Sequence, residues 1–192
     1  VGSEMCIRDR FMVVITGGSR GARTINRAMI SVHEHFKGDK EICLYHITGN
    51  LEYDKIVREL GLTDGKSFGE GSRIIKYEYD MPAVLAAADL IICRAGAVSL
   101  AELAARELPS ILIPYPYASG DHQTFNARVF VKAEAAKMIA DKYVTEKELI
   151  QDINDFRHQP ETLERMSEAT KKIKKIYAGA VSYTHLRAHE TD

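Results

Sequence analysis

Three stretches of this sequence combine residue types and spacing that could hold a phosphorylated ligand. The first is Thr16-Gly17-Gly18-Ser19-Arg20-Gly21-Ala22, which joins an apolar run to a stretch of helical spacing. Glycines there let the backbone turn sharply and let a phosphate approach a helix N-terminus. The second is Cys93-Arg94-Ala95-Gly96-Ala97-Val98-Ser99 followed by Leu100-Ala101-Glu102. Its turn presents backbone N–H groups at the positive end of a helix, a site suited to a diphosphate, and its small side chains leave the approach open. Glu102, one turn in, is placed for a carboxylate to accept two hydrogen bonds from ribose hydroxyls. The third runs from Pro114 through Tyr115, Pro116, Tyr117, Gly120 and Asp121 to His122, Gln123 and Asn126. Such a loop and helix start could read sugar hydroxyls through Asp121, His122, Gln123 and Asn126. Taken singly each has an ordinary reading: Glu102 as a solvated helix charge, Gly96 as a plain turn, His122 as a surface residue, Asp121 as an N-cap.

The elements that must position these stretches alternate. Apolar runs at 11–16, 41–48, 73–79, 90–95, 110–115 and 137–139 read as strands, most of them apolar without interruption, as expected for strands covered on both faces. Between and after them, helical spacing covers 24–36, 53–60, 81–88, 99–106, 123–134, 145–156 and 160–175. Asp80 is the expected N-cap of the third helix, with Pro82 in its first turn, and Thr145 with Glu148 fits a capping box. Strands alternating with helices predict an α/β fold with a doubly wound parallel sheet, whose ligands bind at the C-terminal edge of the strands. All three candidate stretches fall on that edge.

Several chemistries are disfavoured. TGGSRG also opens short-chain reductases, but the third glycine of a dinucleotide loop is replaced by Ala22-Arg23 and the second strand ends His46-Ile47-Thr48 with no acidic residue. The sole Tyr-x-x-x-Lys, Tyr143 to Lys147, crosses a predicted helix start. A net charge of -1 gives no basic field for nucleic acid. No apolar run approaches the ~20 residues of a membrane helix. Three cysteines without paired spacing suggest a reducing, cytosolic setting and offer no metal-ligand pattern.

The termini read differently. Val1 to Asp9 can be encoded by GTGGGCTCGGAGATGTGTATAAGAGAC, and the reverse complement of that string translates as VSYTHLRAH, which is Val181 to His189. One oligonucleotide read on its two strands therefore accounts for both ends, and it resembles a transposase adapter from sequencing libraries. Residues 1–10 and 180–192 are expected to be translated adapter. Leaving them out removes three arginines against four carboxylates and takes the net charge from -1 to 0. The segment between, 11–179, starts within a strand, as expected of a piece of a longer chain.

In order, GGSRGARTIN, YDMPAVLAAADLIICRAGAVSLAELAA and LPSILIPYPYASGDHQTFNA closely resemble the C-terminal domain of the peptidoglycan-precursor N-acetylglucosaminyltransferases, the MurG family. The resemblance covers about residues 11–175. It implies a Rossmann-like domain forming one half of a GT-B glycosyltransferase, with UDP-N-acetylglucosamine as donor and undecaprenyl-linked muramyl-pentapeptide (lipid I) as acceptor. It also implies transfer with inversion, no tightly bound metal or other cofactor, an N-terminal acceptor domain elsewhere, and peripheral contact with the cytoplasmic face of the cell membrane. Carried onto this sequence, Gly18 and Ser19 match a diphosphate or sugar contact, and Arg94, Gly96, Ala97, Val98 and Ser99 the phosphate turn. Glu102 matches the ribose ligand, and His122, Gln123 and Asn126 the positions facing sugar hydroxyls. The loop Tyr77 to Met81 matches the region beside uracil, with Glu78 where an apolar residue is common. A related transferase using another nucleotide sugar, and a non-catalytic nucleotide-sugar-binding module, are the alternatives.

Overall fold

The computed structural model describes residues 9–18, 21–63, 67–69 and 71–188, the stretch 175–188 by its backbone alone. Seven strands form one sheet: β1 (Phe11–Thr16), β2 (Ile42–Ile47), β3 (Ser67–Phe68), β4 (Ser72–Ile75), β5 (Leu90–Cys93), β6 (Ser110–Leu112) and β7 (Ala136–Met138). Their order is β3-β4-β2-β1-β5-β6-β7, and every pairing is parallel except β3 with β4. The chain thus builds outward from β1 through β2 to β4, then returns to the other side of β1 and builds through β5 to β7. The strand order reverses between β1 and β5, where a crevice opens at the C-terminal ends of the strands.

Side-chain alternation divides the core between the two faces of the sheet. Met12, Val14, Cys43, Tyr45, Ile91 and Cys93 point to one face, and Val13, Ile15, Leu44, Leu90, Ile92 and Ile111 to the other. The first face is covered by α3 (Met81–Ala87), α4 (Ala97–Arg106), α5 (His122–Lys132) and α7 (Pro160–Ala188), through Leu85, Leu100, Leu103, Phe130 and Ile173. The second is covered by α1 (Arg23–Phe36) and α6 (Glu146–Arg157), through Ile25, Met29, Val32, Leu149 and Ile153. A smaller cluster joins Ile56 of α2 (Tyr53–Glu59) to Phe68 and Ile74. The uninterrupted apolar runs are thereby explained: both faces of the central strands are dry.

The α/β, doubly wound prediction agrees with this architecture, and the differences are local. The strand predicted over 73–79 stops at Ile75, because its partner β2 ends at Ile47, the last paired residue. The strand predicted to Tyr115 stops at Leu112; Ile113 still donates to the Cys93 carbonyl at 2.9 Å, but Pro114 has no N–H to continue. The two-residue strand β3 was not predicted, being too short to show a period. Asp80 caps α3 as expected, accepting from Ala83 N at 3.2 Å. Thr145 accepts from Glu148 N at 3.2 Å, but Glu148 completes no reciprocal cap; its carboxylate turns to Lys137 at 3.5 Å. Helix α7 runs past Lys175 to Ala188.

Candidate functional site

Two cavities lie side by side at the β1/β5 crevice and share Thr16, Gly18, Cys93 and Ser99. The smaller, about 300 Å³, has an apolar floor of Ile47, Leu85, Ile91 and Leu103 and a rim that includes Tyr77, Glu78, Val98 and Glu102. The larger, about 600 Å³, lies between the two glycine turns and the Tyr115–Tyr117 loop, with Arg94, Gly96, Gln123 and Asp141 on its walls. The two differ in what borders them: Glu78 and Glu102 stand on the rim of the smaller, and the backbone of both glycine turns borders the larger.

That backbone is suited to an anion. Helices α1 and α4 both begin at the crevice, with Ala22 and Gly96 as N-caps; neither cap makes a side-chain hydrogen bond and neither helix has an acidic residue in its first turn. Neither helix therefore turns a carboxylate of its own onto its first N–H groups. Gly96 lies at φ -68, and a Cβ there would meet only Gln123 Nε2, at 3.9 Å. The fold does not require glycine at that position, so its bareness serves the open chamber.

Two side chains tie the loops of the cleft together. Gln123 Oε1 accepts from Ala95 N at 3.1 Å and from Tyr115 N at 2.9 Å, joining the β5–α4 turn to the loop after β6. Arg94 Nη1 donates to the Ile113 carbonyl at 3.1 Å, to the Pro114 carbonyl at 3.3 Å and to Asp141 Oδ1 at 2.5 Å. The other oxygen of Asp141 accepts from Thr24 Oγ1 at 3.0 Å. Asp141 thus binds the first turn of α1 to the end of β5. Both charged side chains are largely covered, 12% exposed for Arg94 and 18% for Asp141. Asp141→Ala is expected to destabilise the chain by about 2–3 kcal/mol, since it strands a mostly buried guanidinium. Urea unfolding of parent and variant measures this, and a difference below about 0.5 kcal/mol would show that the pair is dispensable.

In the smaller cavity Glu78 is held at both oxygens. It accepts from the Tyr45 hydroxyl and, at 2.8 Å, from Asp80 N. The Tyr45 bond holds its carboxyl below the usual carboxylate range, while burial and that same partner raise the Tyr45 phenol. Cys93 lies beneath both cavities, and burial pushes its thiol up to about 12, so it forms inert floor. Among the described residues, no group of three or more His, Cys, Asp or Glu side chains is arranged to hold a metal ion.

Of the residues singled out from the sequence, Gly18, Arg94, Gly96, Val98, Ser99, Glu102 and Gln123 line the cleft. Three do not. Ala97 is exposed on the first turn of α4, and His122 is exposed with its ring against Gly120. Asn126 donates to the Ala95 carbonyl at 3.2 Å, which braces the turn from behind. Ser19 lies outside the described residues. Asp141 escaped the sequence reading. The signal for Asp141 was its place directly after a short strand, on the same sheet edge as the glycine turns.

A doubly wound sheet with two helix starts, neither capped by a side chain, at its switch point has the architecture of one half of a GT-B glycosyltransferase. The chain belongs to glycosyltransferase family 28, matching the family's C-terminal domain over residues 12–180. It is similar to the UDP-N-acetylglucosamine–N-acetylmuramyl-(pentapeptide) pyrophosphoryl-undecaprenol N-acetylglucosamine transferase of Desulforamulus reducens, 42% identical over 166 residues, which is 86% of this chain and 45% of that one. The enzyme of the same name from a Thermoanaerobacter species is 39% identical over 180 residues, 94% of this chain and 49% of that one. Among solved structures, MurG of Acinetobacter baumannii superimposes with a TM-score of 0.71 at 26% identity, covering 85% of this chain and 47% of its own. The chain therefore spans about half the length of the curated relatives it matches.

Proposed function

We infer that residues 11–179 are the donor-binding domain of an inverting N-acetylglucosaminyltransferase. It holds UDP-N-acetylglucosamine for transfer to undecaprenyl-diphosphate-linked muramyl-pentapeptide, making lipid II for cell-wall synthesis. The observation that carries this is the convergence of the two uncapped helix starts, α1 and α4, on one cleft with Glu102 at its rim. The uridine takes the smaller cavity, with the base beside Tyr77 and Glu78 and the ribose hydroxyls on Glu102. The diphosphate lies at the shared boundary against the α4 turn, including the Ala97 amide, and against Gly18. The sugar enters the larger cavity toward Gln123.

As the bond to the anomeric carbon breaks, negative charge grows on the departing UDP. Fixed backbone N–H groups and two helix dipoles stabilise it without reorganising. The acceptor hydroxyl needs a general base, and we assign it to the other half of the enzyme, together with the lipid-binding surface and the contact with the cytoplasmic face of the membrane. No helix among the described residues is long and apolar enough to cross a membrane.

Isothermal titration tests the reading directly. UDP and UDP-N-acetylglucosamine are expected to bind, with UDP-glucose and UDP-galactose weaker, and Glu102→Ala is expected to lose about 10- to 100-fold for all of them. No heat from UDP at millimolar concentration would overturn the site. A Glu102→Ala variant that binds as the parent does would remove the ribose assignment alone.

A further inference from the structure

A chain of polar side chains runs through the otherwise dry space between α1 and the sheet. Asn26, His46 and His33 are all fully buried. Asn26 Nδ2 lies 2.8 Å from the Thr48 carbonyl, His46 Nε2 lies 2.9 Å from Asn26 Oδ1, and His33 Nε2 lies 3.1 Å from His46 Nδ1. One fixed acceptor orients the whole chain. The Thr48 carbonyl can only accept, so the amide nitrogen of Asn26 must face it and Oδ1 must face His46. That oxygen can only accept, so His46 carries its proton on Nε2 and leaves Nδ1 bare. His33 must then donate from Nε2, and its Nδ1, which has no partner, carries the lone pair. Every proton is assigned with both rings neutral.

The chain ends at the glycine turn of the cleft. Gly21 packs against the Thr48 carbonyl so closely that a Cβ would fall inside its van der Waals shell, and Asn26 Nδ2 lies 3.3 Å from the same Cβ position. Gly21 N donates to the Gly18 carbonyl at 2.9 Å, closing the turn onto Gly18 at the boundary of the two cavities. Thr48 is itself anchored, its N donating to the Ile75 carbonyl at 2.9 Å. Sheet, carbonyl, amide and turn therefore form a continuous support, and Asn26 spans from the helix that follows the turn to the strand end beneath it.

We propose that Asn26 is a positioning residue for the donor site: by holding the Thr48 carbonyl against Gly21, and by being held in that orientation by His46, it fixes the turn that receives the diphosphate. The consequence for binding rests on the cleft being the diphosphate site; the consequence for the turn does not. A buried polar group retained amid apolar neighbours is costly unless every bond is made, and here the bonds converge on one backbone feature.

The test compares Asn26→Ala, the isosteric Asn26→Asp, His46→Leu, His33→Phe and a core control on the opposite face, Ile173→Ala, by amide hydrogen exchange at Gly21 and by UDP titration. Faster Gly21 exchange is expected in a gradient: about tenfold or more for both Asn26 variants, less for His46→Leu, and within about twofold of parent for His33→Phe. Ile173→Ala should leave Gly21 unchanged relative to the β5 amides whatever its melting temperature. UDP affinity should fall in the same order. If Gly21 exchange merely tracks each variant's loss of melting temperature, the positioning role is overturned, and Asn26 is ordinary core. Should Asn26→Ala not fold, His46→Leu against Ile173→Ala decides the matter by the same comparison. A parent that binds no UDP, with the exchange gradient intact, would refute the reading of the cleft and keep the support of the turn.

Discussion

Replacing Gly21 by alanine is expected to destabilise the chain by about 2–5 kcal/mol. Gly21 sits at φ 81, where a side chain costs about 1–2 kcal/mol from contact with its own carbonyl alone. The new Cβ would also enter the shell of the Thr48 carbonyl oxygen and stand 3.2 Å from its carbon. That neighbour cannot yield, since its oxygen accepts from Asn26 at 2.8 Å and its own N–H is spent on Ile75 at 2.9 Å. Forcing them apart adds about 1–3 kcal/mol of overpacking. Gly96→Ala supplies the contrast, because its Cβ meets nothing nearer than 3.9 Å. Thermal and urea unfolding of both variants should show a large loss for Gly21→Ala and less than about 1 kcal/mol for Gly96→Ala. Equal losses would mean that the turn accommodates a side chain by moving, and that Thr48 is no rigid support.

That contrast marks where sequence reading succeeds and where it stops. Gly21 and Gly96 look alike as letters in glycine turns after apolar runs. One is required by a carbonyl 27 residues further on; the other is sterically free and bare toward the cleft. The strands were legible because a sheet dry on both faces needs uninterrupted apolar runs, as FMVVIT and LIIC show. The glycine turns and Glu102 were legible because they lie within a few residues of a strand end, where spacing alone predicts position. Asp141 was not: its meaning depends on Arg94 and Thr24, which meet it only after β1, β5, β6 and β7 have been laid side by side. Gln123 was read as a sugar contact, yet its oxygen is fully engaged by Ala95 N and Tyr115 N, leaving only Nε2 for a ligand. His46 served in the sequence only to show that an acidic residue was absent from the end of a strand. Its partners, Asn26 five residues past Gly21 and His33 thirteen residues back along the chain, have no local signature.

The same buried chain gives a second large effect, this time in pH. Stability is expected to hold steady above about pH 6.5 and to fall as the solution is acidified below it. In the unfolded chain each imidazole takes up a proton near 6.5. In the folded chain burial drives His33 down to about 3 and His46 well below its ordinary value, the neighbouring ring adding to the effect for His46. Between those limits the unfolded state binds more protons than the folded state, so unfolding gains as pH drops. At pH 5, 1.5 units below its unfolded value, His33 alone accounts for about 2 kcal/mol, and His46 acts in the same direction. The carboxylates of Asp39 and Glu78, held low by Arg157 and Tyr45, weaken the fold at more acid pH. Burial raises Asp89 and Asp152, which act with the opposite sign. His33→Phe keeps all four, so the difference between parent and variant isolates the ring. Urea midpoints taken from pH 7.5 to 5 should decline steeply in the parent and by roughly one proton fewer in His33→Phe. Parallel curves for the two proteins would mean that His33 is protonated as readily folded as unfolded. The proton assignment that runs from Thr48 through Asn26 and His46 to the bare Nδ1 of His33 would then be wrong at its far end.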